Sequence, residues 1–273
     1  MKIALVQLTS GDEIAPNIEA ASGYIRGAAA AGARFISTPE TTHLMEMNRQ
    51  KVLEKTSFER DDDGLKAFQA LAAELNIWLH IGSLIIKIAE DKLANRSFLF
   101  SPQGEILAQY DKAHLFDVEL GGGESYRESA LYQPGDSTTV VKVDGMKVGL
   151  SVCYDLRFPY LYRDLAHSGA TVLLVPAAFT HPTGDAHWHT LLRARAIENG
   201  CFVLAAAQTG LHATGRRTYG HSLAIDPWGT VIADAGEQAG FTIVDLDLAM
   251  VDKVRQKIPS LNHDRHVRVK TQE

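Results

Sequence analysis

The feature that most constrains this chain is how it opens. Residues 2–8 form a nearly unbroken apolar run of strand length, residues 17–32 are alanine-rich with helical spacing and end on Gly32, and residues 33–37 form a second apolar strand. The same alternation continues with a helical pattern over 64–75, a strand over 77–86, and two strands within 97–110 around Pro102-Gln103-Gly104. Residues 138–143 and 147–152 flank Asp144-Gly145, a strong hairpin signal. A helix is expected after Pro159, then a strand over 171–176, a helix from about 186 to 199 capped by Gly200, and a strand over 201–208. A last hairpin, 222–225 with 230–233, turns at Pro227-Trp228-Gly229. A length of 273 residues would accommodate two domains at about 150 residues each. No Pro/Ser/Gly linker, internal repeat or low-complexity tract interrupts the pattern, so residues 1–273 read as one α/β domain with helices outside stacked sheets.

Composition narrows the function. Hydrophobic residues make up 45% and charged residues 22%, which excludes a disordered scaffold. Lys and Arg total 27 against 33 Asp and Glu, a net charge of −6, so no basic excess is available for a phosphate backbone or an anionic membrane. No apolar run approaches about 18 residues, and the first apolar stretch is too short for a signal sequence. With only Cys153 and Cys201 present, a disulfide framework is not expected, and the chain reads as a cytoplasmic protein whose thiols act as thiols.

Cys153 ends the apolar strand and is followed by Tyr154-Asp155-Leu156-Arg157-Phe158-Pro159, a turn feeding a helix. A side chain at such a corner projects into a cleft toward which backbone N–H groups also point, and a helix N-terminus there is expected to lower the thiol pKa. Cys201, opening a purely apolar strand, reads as a buried inert thiol. Glu40 follows the strand ending at Ser37, and Lys112 follows the strand ending near Tyr110. Parallel strands bring their carboxyl ends to one edge, so a carboxylate, an ammonium and a thiol could meet there. Such a set can move a thiol proton, attack a carbonyl or nitrile carbon and hold the resulting anion. Gly121-Gly122-Gly123 lacks the spacing and Lys-Ser/Thr of a phosphate loop and reads as a flexible active-site loop. The basic tail from Lys253 reads as solvated or in subunit contacts. His187 and His189, two apart on a helix, project about 200° from each other, so His181, His187 and His189 do not form a chelating set.

These residues lie in words that resemble the nitrilase superfamily of carbon-nitrogen hydrolases. Thr38-Pro39-Glu40-Thr41 resembles its glutamate motif, Tyr110-Asp111-Lys112-Ala113-His114-Leu115-Phe116-Asp117 its lysine motif, and residues 149–159 its cysteine motif, in family order. The resemblance runs from the first strand past Ala233 and implies a four-layer αββα sandwich. It implies Glu40 as general base, Lys112 as oxyanion stabiliser, Cys153 as nucleophile and Glu128 as a second glutamate positioning Lys112 and the substrate amide. The anion would lie between Lys112 and the Tyr154 N–H, and no metal or other cofactor is implied. Homodimers or larger homo-oligomers are usual in the family.

Residues 123–129, 187–198 and 219–222 are most similar to the Nit branch of amidases. Arg157 is suited to grip a substrate carboxylate, and Thr183, expected in the facing loop, to donate to the same group. The alternative for Arg157 is an internal ion pair with Asp155, and for Thr183 a helix-approach turn. The expected partner is therefore a small amide bearing a carboxylate. The wording leans toward the deaminated glutathione amidase group. An ω-amidase, an N-carbamoyl amino acid amidohydrolase and a non-catalytic binding subunit are the alternatives. Tyr160 and His189 stand where many members have Glu.

Overall fold

Alternate residues of the first strand face different layers, and this sets the architecture. In β1 (Lys2–Gln7), Ile3 and Leu5 point into the core shared with a second sheet, while Ala4 and Val6 point the other way, toward α1 (Ile14–Ala30). Helix α1 buries Asn17, Ala21, Ile25 and Ala28, the spacing of one helical face. Next come β2 (Phe35–Ser37), α2 (Arg49–Lys55), α3 (Asp63–Leu75), β3 (Trp78–Ala89), β4 (Lys92–Phe100) and β5 (Ile106–Asp111). A small hairpin follows, β6 (Asp117–Gly121) with β7 (Glu124–Arg127), then β8 (Val140–Val143), β9 (Met146–Leu150), α4 (Pro159–His167) and β10 (Val172–Leu174). The chain continues through α5 (His181–Asn199), β11 (Phe202–Ala205), β12 (Thr209–Leu211), β13 (Arg217–Tyr219), β14 (Leu223–Ile225), β15 (Val231–Asp234), β16 (Gly240–Asp245) and α6 (Ala249–Lys257). This computed structural model describes residues 1–121 and 124–271; Gly122 and Gly123 of the expected glycine loop lie outside the described residues.

One six-stranded sheet has the order β16-β1-β2-β3-β4-β5 and the other β15-β14-β11-β10-β9-β8. Strands β1, β2 and β3 are parallel, with Ile3 beside Phe35 and Phe35 beside Trp78. Two antiparallel steps, β3 to β4 and β4 to β5, return β5 to the direction of β2. In the second sheet β9, β10 and β11 are parallel, with Val172 between Val148 and Phe202. Leu65, Phe68, Leu71 and Ala72 of α3 join α1 on the outer face of the first sheet, while Tyr162 and Leu165 of α4 and Trp188 and Leu192 of α5 pack on the second. This is the αββα sandwich that the resemblance implies, with the β2, β5 and β9 carboxyl ends at one edge.

The Asp144-Gly145 hairpin takes φ values of 44° and 83°, the doubly left-handed turn that favours this dipeptide. Helix α5 begins at His181, earlier than the expected residue 186, because Pro182 is well accommodated in a first helical turn. Thr183 therefore sits within that turn rather than on a loop, and His189 is mid-helix rather than near its start. Strand β16, α2, α6 and the β6–β7 hairpin were not anticipated. Among the described residues, no helix is long and apolar enough to cross a membrane.

Candidate active site

Glu40 follows β2 in a segment fastened at several points. The Thr41 N–H donates to Ser83 Oγ at 2.8 Å, Thr42 Oγ1 donates to the Pro39 carbonyl at 2.7 Å, and Gln208 Nε2 reaches the Glu40 carbonyl from the segment after β11 at 3.0 Å. The sheets approach closely beside it. A Cβ on Gly82 would stand 2.3 Å from the Thr38 carbonyl and 2.4 Å from Pro176 Cβ, so only glycine fits there. The Glu40 carboxylate is buried, and its Oε2 accepts the Ala178 N–H at 2.9 Å.

Lys112, one residue beyond β5, is also buried. Its Nζ donates to Glu40 Oε1 at 2.9 Å and to Glu128 Oε2 at 2.8 Å. Glu128 Oε2 also accepts the Phe116 N–H at 2.6 Å, which fixes the carboxylate to the segment following Lys112. Asn95, on β4, donates from Nδ2 to Glu40 Oε1 at 2.9 Å and to Glu128 Oε1 at 3.2 Å. This amide bridges both acids and was missed in the sequence, where Asn95 is one of several polar residues in its stretch, beside Arg96 and Ser97.

Cys153 begins a 3-10 turn, Cys153–Arg157, and has φ 50°, an unusual value for a side-chain-bearing residue that aims its thiol off the strand end. Its N–H donates to the Pro176 carbonyl at 2.9 Å. Asp155 organises the corner. Its Oδ2 accepts from Tyr110 Oη at 2.7 Å and the Val152 N–H at 2.8 Å, and its Oδ1 from the His114 N–H and ring Nδ1 at 3.0 and 2.7 Å. These bonds tie the segment around Lys112 to the one around Cys153. They also leave Asp155 bonded away from Arg157, against the alternative of an internal ion pair between the two.

The electrostatics correct another expectation. Burial and the Glu40 charge hold the Cys153 thiol well above the ordinary thiol range, against the lowering by a helix N-terminus expected from sequence. A single 3-10 turn supplies too little dipole to offset them. Burial also pushes the Glu40 carboxyl up, but the Lys112 charge and hydrogen bonding from Cys153 and Lys112 outweigh it and leave it lowered. For Lys112, burial opposes the charge, yet Glu128 and Glu40 hold it raised. The resting site is a neutral thiol beside a carboxylate and an ammonium.

Glu40, Lys112, Glu128, Cys153, Tyr154, Arg157 and Thr183 all line one cavity of about 360 Å³. Among the described residues Arg157 meets no carboxylate: its guanidinium lies 5.9 Å from the Tyr154 ring centroid and 5.4 Å from that of Phe179, and donates to His187 Nδ1 at 3.3 Å. Thr183 Oγ1 bonds with Thr180 Oγ1 at 2.8 Å. Arg216 also lines the cavity and was not anticipated. His181, His187 and His189 do not converge on one another; His189 instead joins His221 and Asp234 in a polar cluster that does not line the cavity. Tyr160 hydrogen-bonds the His114 ring from outside the cavity.

Residues 2–256 match the family described as Carbon-nitrogen hydrolase. A deaminated glutathione amidase of Synechocystis sp. is 40% identical over 264 residues, covering 95% of this chain and 96% of that protein. The crystal structure of the Caenorhabditis elegans NitFhit protein matches with a TM-score of 0.91 at 37% identity, over 97% of this chain and 65% of that one. The structure of Saccharomyces cerevisiae Nit3, described as a member of branch 10 of the nitrilase superfamily, matches with a TM-score of 0.85 at 28% identity, over 95% and 94% of the two chains.

Proposed function

The chain belongs to the carbon-nitrogen hydrolase family, as a hydrolase of carbon-nitrogen bonds other than peptide bonds, and on that premise we propose that it cleaves deaminated glutathione to 2-oxoglutarate and Cys-Gly through a thioester on Cys153. The observation that carries this reading is the buried Glu40–Lys112–Cys153 cluster, opening into a cavity where Arg157 has no carboxylate partner among the described residues. The 40% identity to a protein named deaminated glutathione amidase supports the choice of amide.

The resting geometry supports each proposed step. Glu40 takes the Cys153 proton as sulfur attacks the amide carbon, since a thiol held above its usual range attacks only if its proton leaves in the same event. The Lys112 ammonium and the Tyr154 N–H receive the negative charge that develops on the amide oxygen. One such donor is worth about 10²- to 10³-fold in rate. The proton on Glu40 passes to the departing nitrogen, the C–N bond breaks, and Cys-Gly leaves. Water, its proton taken by Glu40, then attacks the thioester; the C–S bond breaks and the thiol is restored as the proton returns to sulfur. Glu128 and Asn95 hold Lys112 and Glu40 in register. Arg157 and Thr183 bind the carboxylate of the oxoglutaryl group.

We further take residues 1–273 to work as one domain in a cytoplasmic homodimer or larger homo-oligomer, with the tail from about residue 253 in subunit contacts. Exposed Tyr160, Ile258, Val267 and Val269 support an apolar contact surface. Light scattering on the purified protein tests the assembly.

Initial rates of 2-oxoglutarate formation from deaminated glutathione and 2-oxoglutaramate, beside an N-carbamoyl amino acid and a simple nitrile, test the function. Preference for deaminated glutathione, abolished by Cys153→Ala, is expected. Preference for the carbamoyl compound or the nitrile would reject the substrate.

A further inference from the structure

We propose that Arg216 forms a second carboxylate subsite, which takes the glycine carboxylate of the leaving Cys-Gly and makes the enzyme selective for amides charged at both ends. This rests on the reaction proposed above. Arg216 lies on the turn between β12 and β13, and one of its terminal nitrogens donates to the Ala178 carbonyl. Ala178 is the residue whose N–H holds Glu40, so the guanidinium stands on the wall of the reacting centre. Its Cζ lies 5.1 Å from the Tyr126 ring centroid, and its Nε is buried without a hydrogen-bond acceptor among the described residues. A buried guanidinium N–H without an acceptor is costly unless a ligand supplies one.

Charge matching gives the ligand's class. Lys112 is already shared by Glu40 and Glu128, and Arg127 is paired with Glu119 at 2.7 Å. Arg49 is exposed at the start of α2, at the cavity rim. Two half-buried guanidiniums, Arg157 and Arg216, therefore remain in the cavity without a carboxylate partner among the described residues. Their surroundings differ: Arg157 stacks near Tyr154 and Phe179 beside Thr183, whereas Arg216 faces Tyr126 and Ala178. Deaminated glutathione carries one carboxylate on the oxoglutaryl end and one on the glycine end, with the scissile amide between them. A substrate with only the first, such as 2-oxoglutaramate, would leave Arg216 unused. Arg157 thus reads the acyl group and Arg216 the leaving group.

The experiment is a binding cycle in Cys153→Ala protein, which retains every cavity charge. Calorimetry would compare deaminated glutathione with its glycinamide form, in the presence of Arg216 and in Arg216→Met. With Arg216 the free acid should bind roughly 10- to 100-fold more tightly than the amide, as expected for a charge-assisted hydrogen bond. In Arg216→Met that preference should vanish while affinity for the glycinamide form is kept, and Arg216→Lys should restore part of it. Equal weakening of both ligands would mean that Arg216 acts through Glu40 or Tyr126, and would overturn the subsite. Equal affinity of the free acid and the amide with Arg216 in place, or no binding of either, would overturn it as well. Absence of turnover in the wild-type protein alongside a persistent Arg216-dependent preference would sink the proposed reaction and leave the subsite standing.

Discussion

Lys112 Nζ donates to Glu40 Oε1 at 2.9 Å, so the carboxylate assigned to take the thiol proton is held by the cation assigned to receive the oxyanion. The two groups cannot be altered independently. Lys112→Met should lower kcat/KM by about 10³-fold or more. It should also destabilise the fold by about 3–5 kcal/mol, because two carboxylates lose their buried counter-charge. Urea denaturation checks the second effect, and adding Glu128→Gln should recover part of the lost stability without recovering rate.

Asn95 donates to both Glu40 and Glu128 from one amide nitrogen. Asn95→Ala should reduce kcat on deaminated glutathione by about 10- to 100-fold, the worth of a hydrogen bond to a charged group. KM should change much less, since Asn95 holds the acids rather than the substrate. Steady-state kinetics separates the two parameters; a KM effect with unchanged kcat would contradict this role.

Cys201 is buried, donates weakly to the Ala170 carbonyl, and is pushed by burial up to about 11. Cys201→Ala should retain full turnover. Native protein should take up no iodoacetamide label at Cys201 at neutral pH, which peptide mass spectrometry checks.

His80 lies between the sheets, with Nδ1 bonded to Ser37 Oγ at 2.8 Å and Nε2 to Ser97 Oγ at 2.9 Å. Burial lowers its pKa from the usual 6.5 to about 3, so the folded protein keeps the ring neutral. The unfolded chain takes up a proton below 6.5 and the folded chain does not. The stability present above that pH is therefore lost progressively as pH falls toward about 3. The loss approaches about 1.4 kcal/mol per pH unit, or about 2 kcal/mol by pH 5. Urea denaturation at pH 7, 6 and 5 should show this slope, and His80→Gln should flatten it.

Much of the site was legible before any fold was known because its chemistry sits at strand ends. Glu40, Lys112 and Cys153 each follow an apolar strand, and the directions of β2, β5 and β9 bring them together. What escaped the sequence depends on distant partners. Asn95 stands among the polar residues Asn95-Arg96-Ser97 of β4, and nothing local says that Glu40 and Glu128 flank it. Arg216 occupies a polar turn that reads as solvent-facing until β12 and β13 fold over the cavity. The thiol's pKa was expected in the wrong direction because burial and Glu40, both products of the tertiary fold, outweigh the short turn that follows Cys153. The start of α5 was placed late because His181-Pro182-Thr183-Gly184 has turn composition, yet it fits a first helical turn.

The central claim is a thioester on Cys153, and intact-protein mass spectrometry of the wild-type protein, quenched in acid during turnover of deaminated glutathione, tests it most directly. Acid stops the water attack that Glu40 activates while a thioester survives it, so the intermediate present during turnover should be trapped. The account predicts an oxoglutaryl adduct that maps to Cys153, is absent from Cys153→Ala, and is released by hydroxylamine. Hydrolysis of the amide by Cys153→Ala at the wild-type rate, or an adduct confined to Cys201, would contradict it.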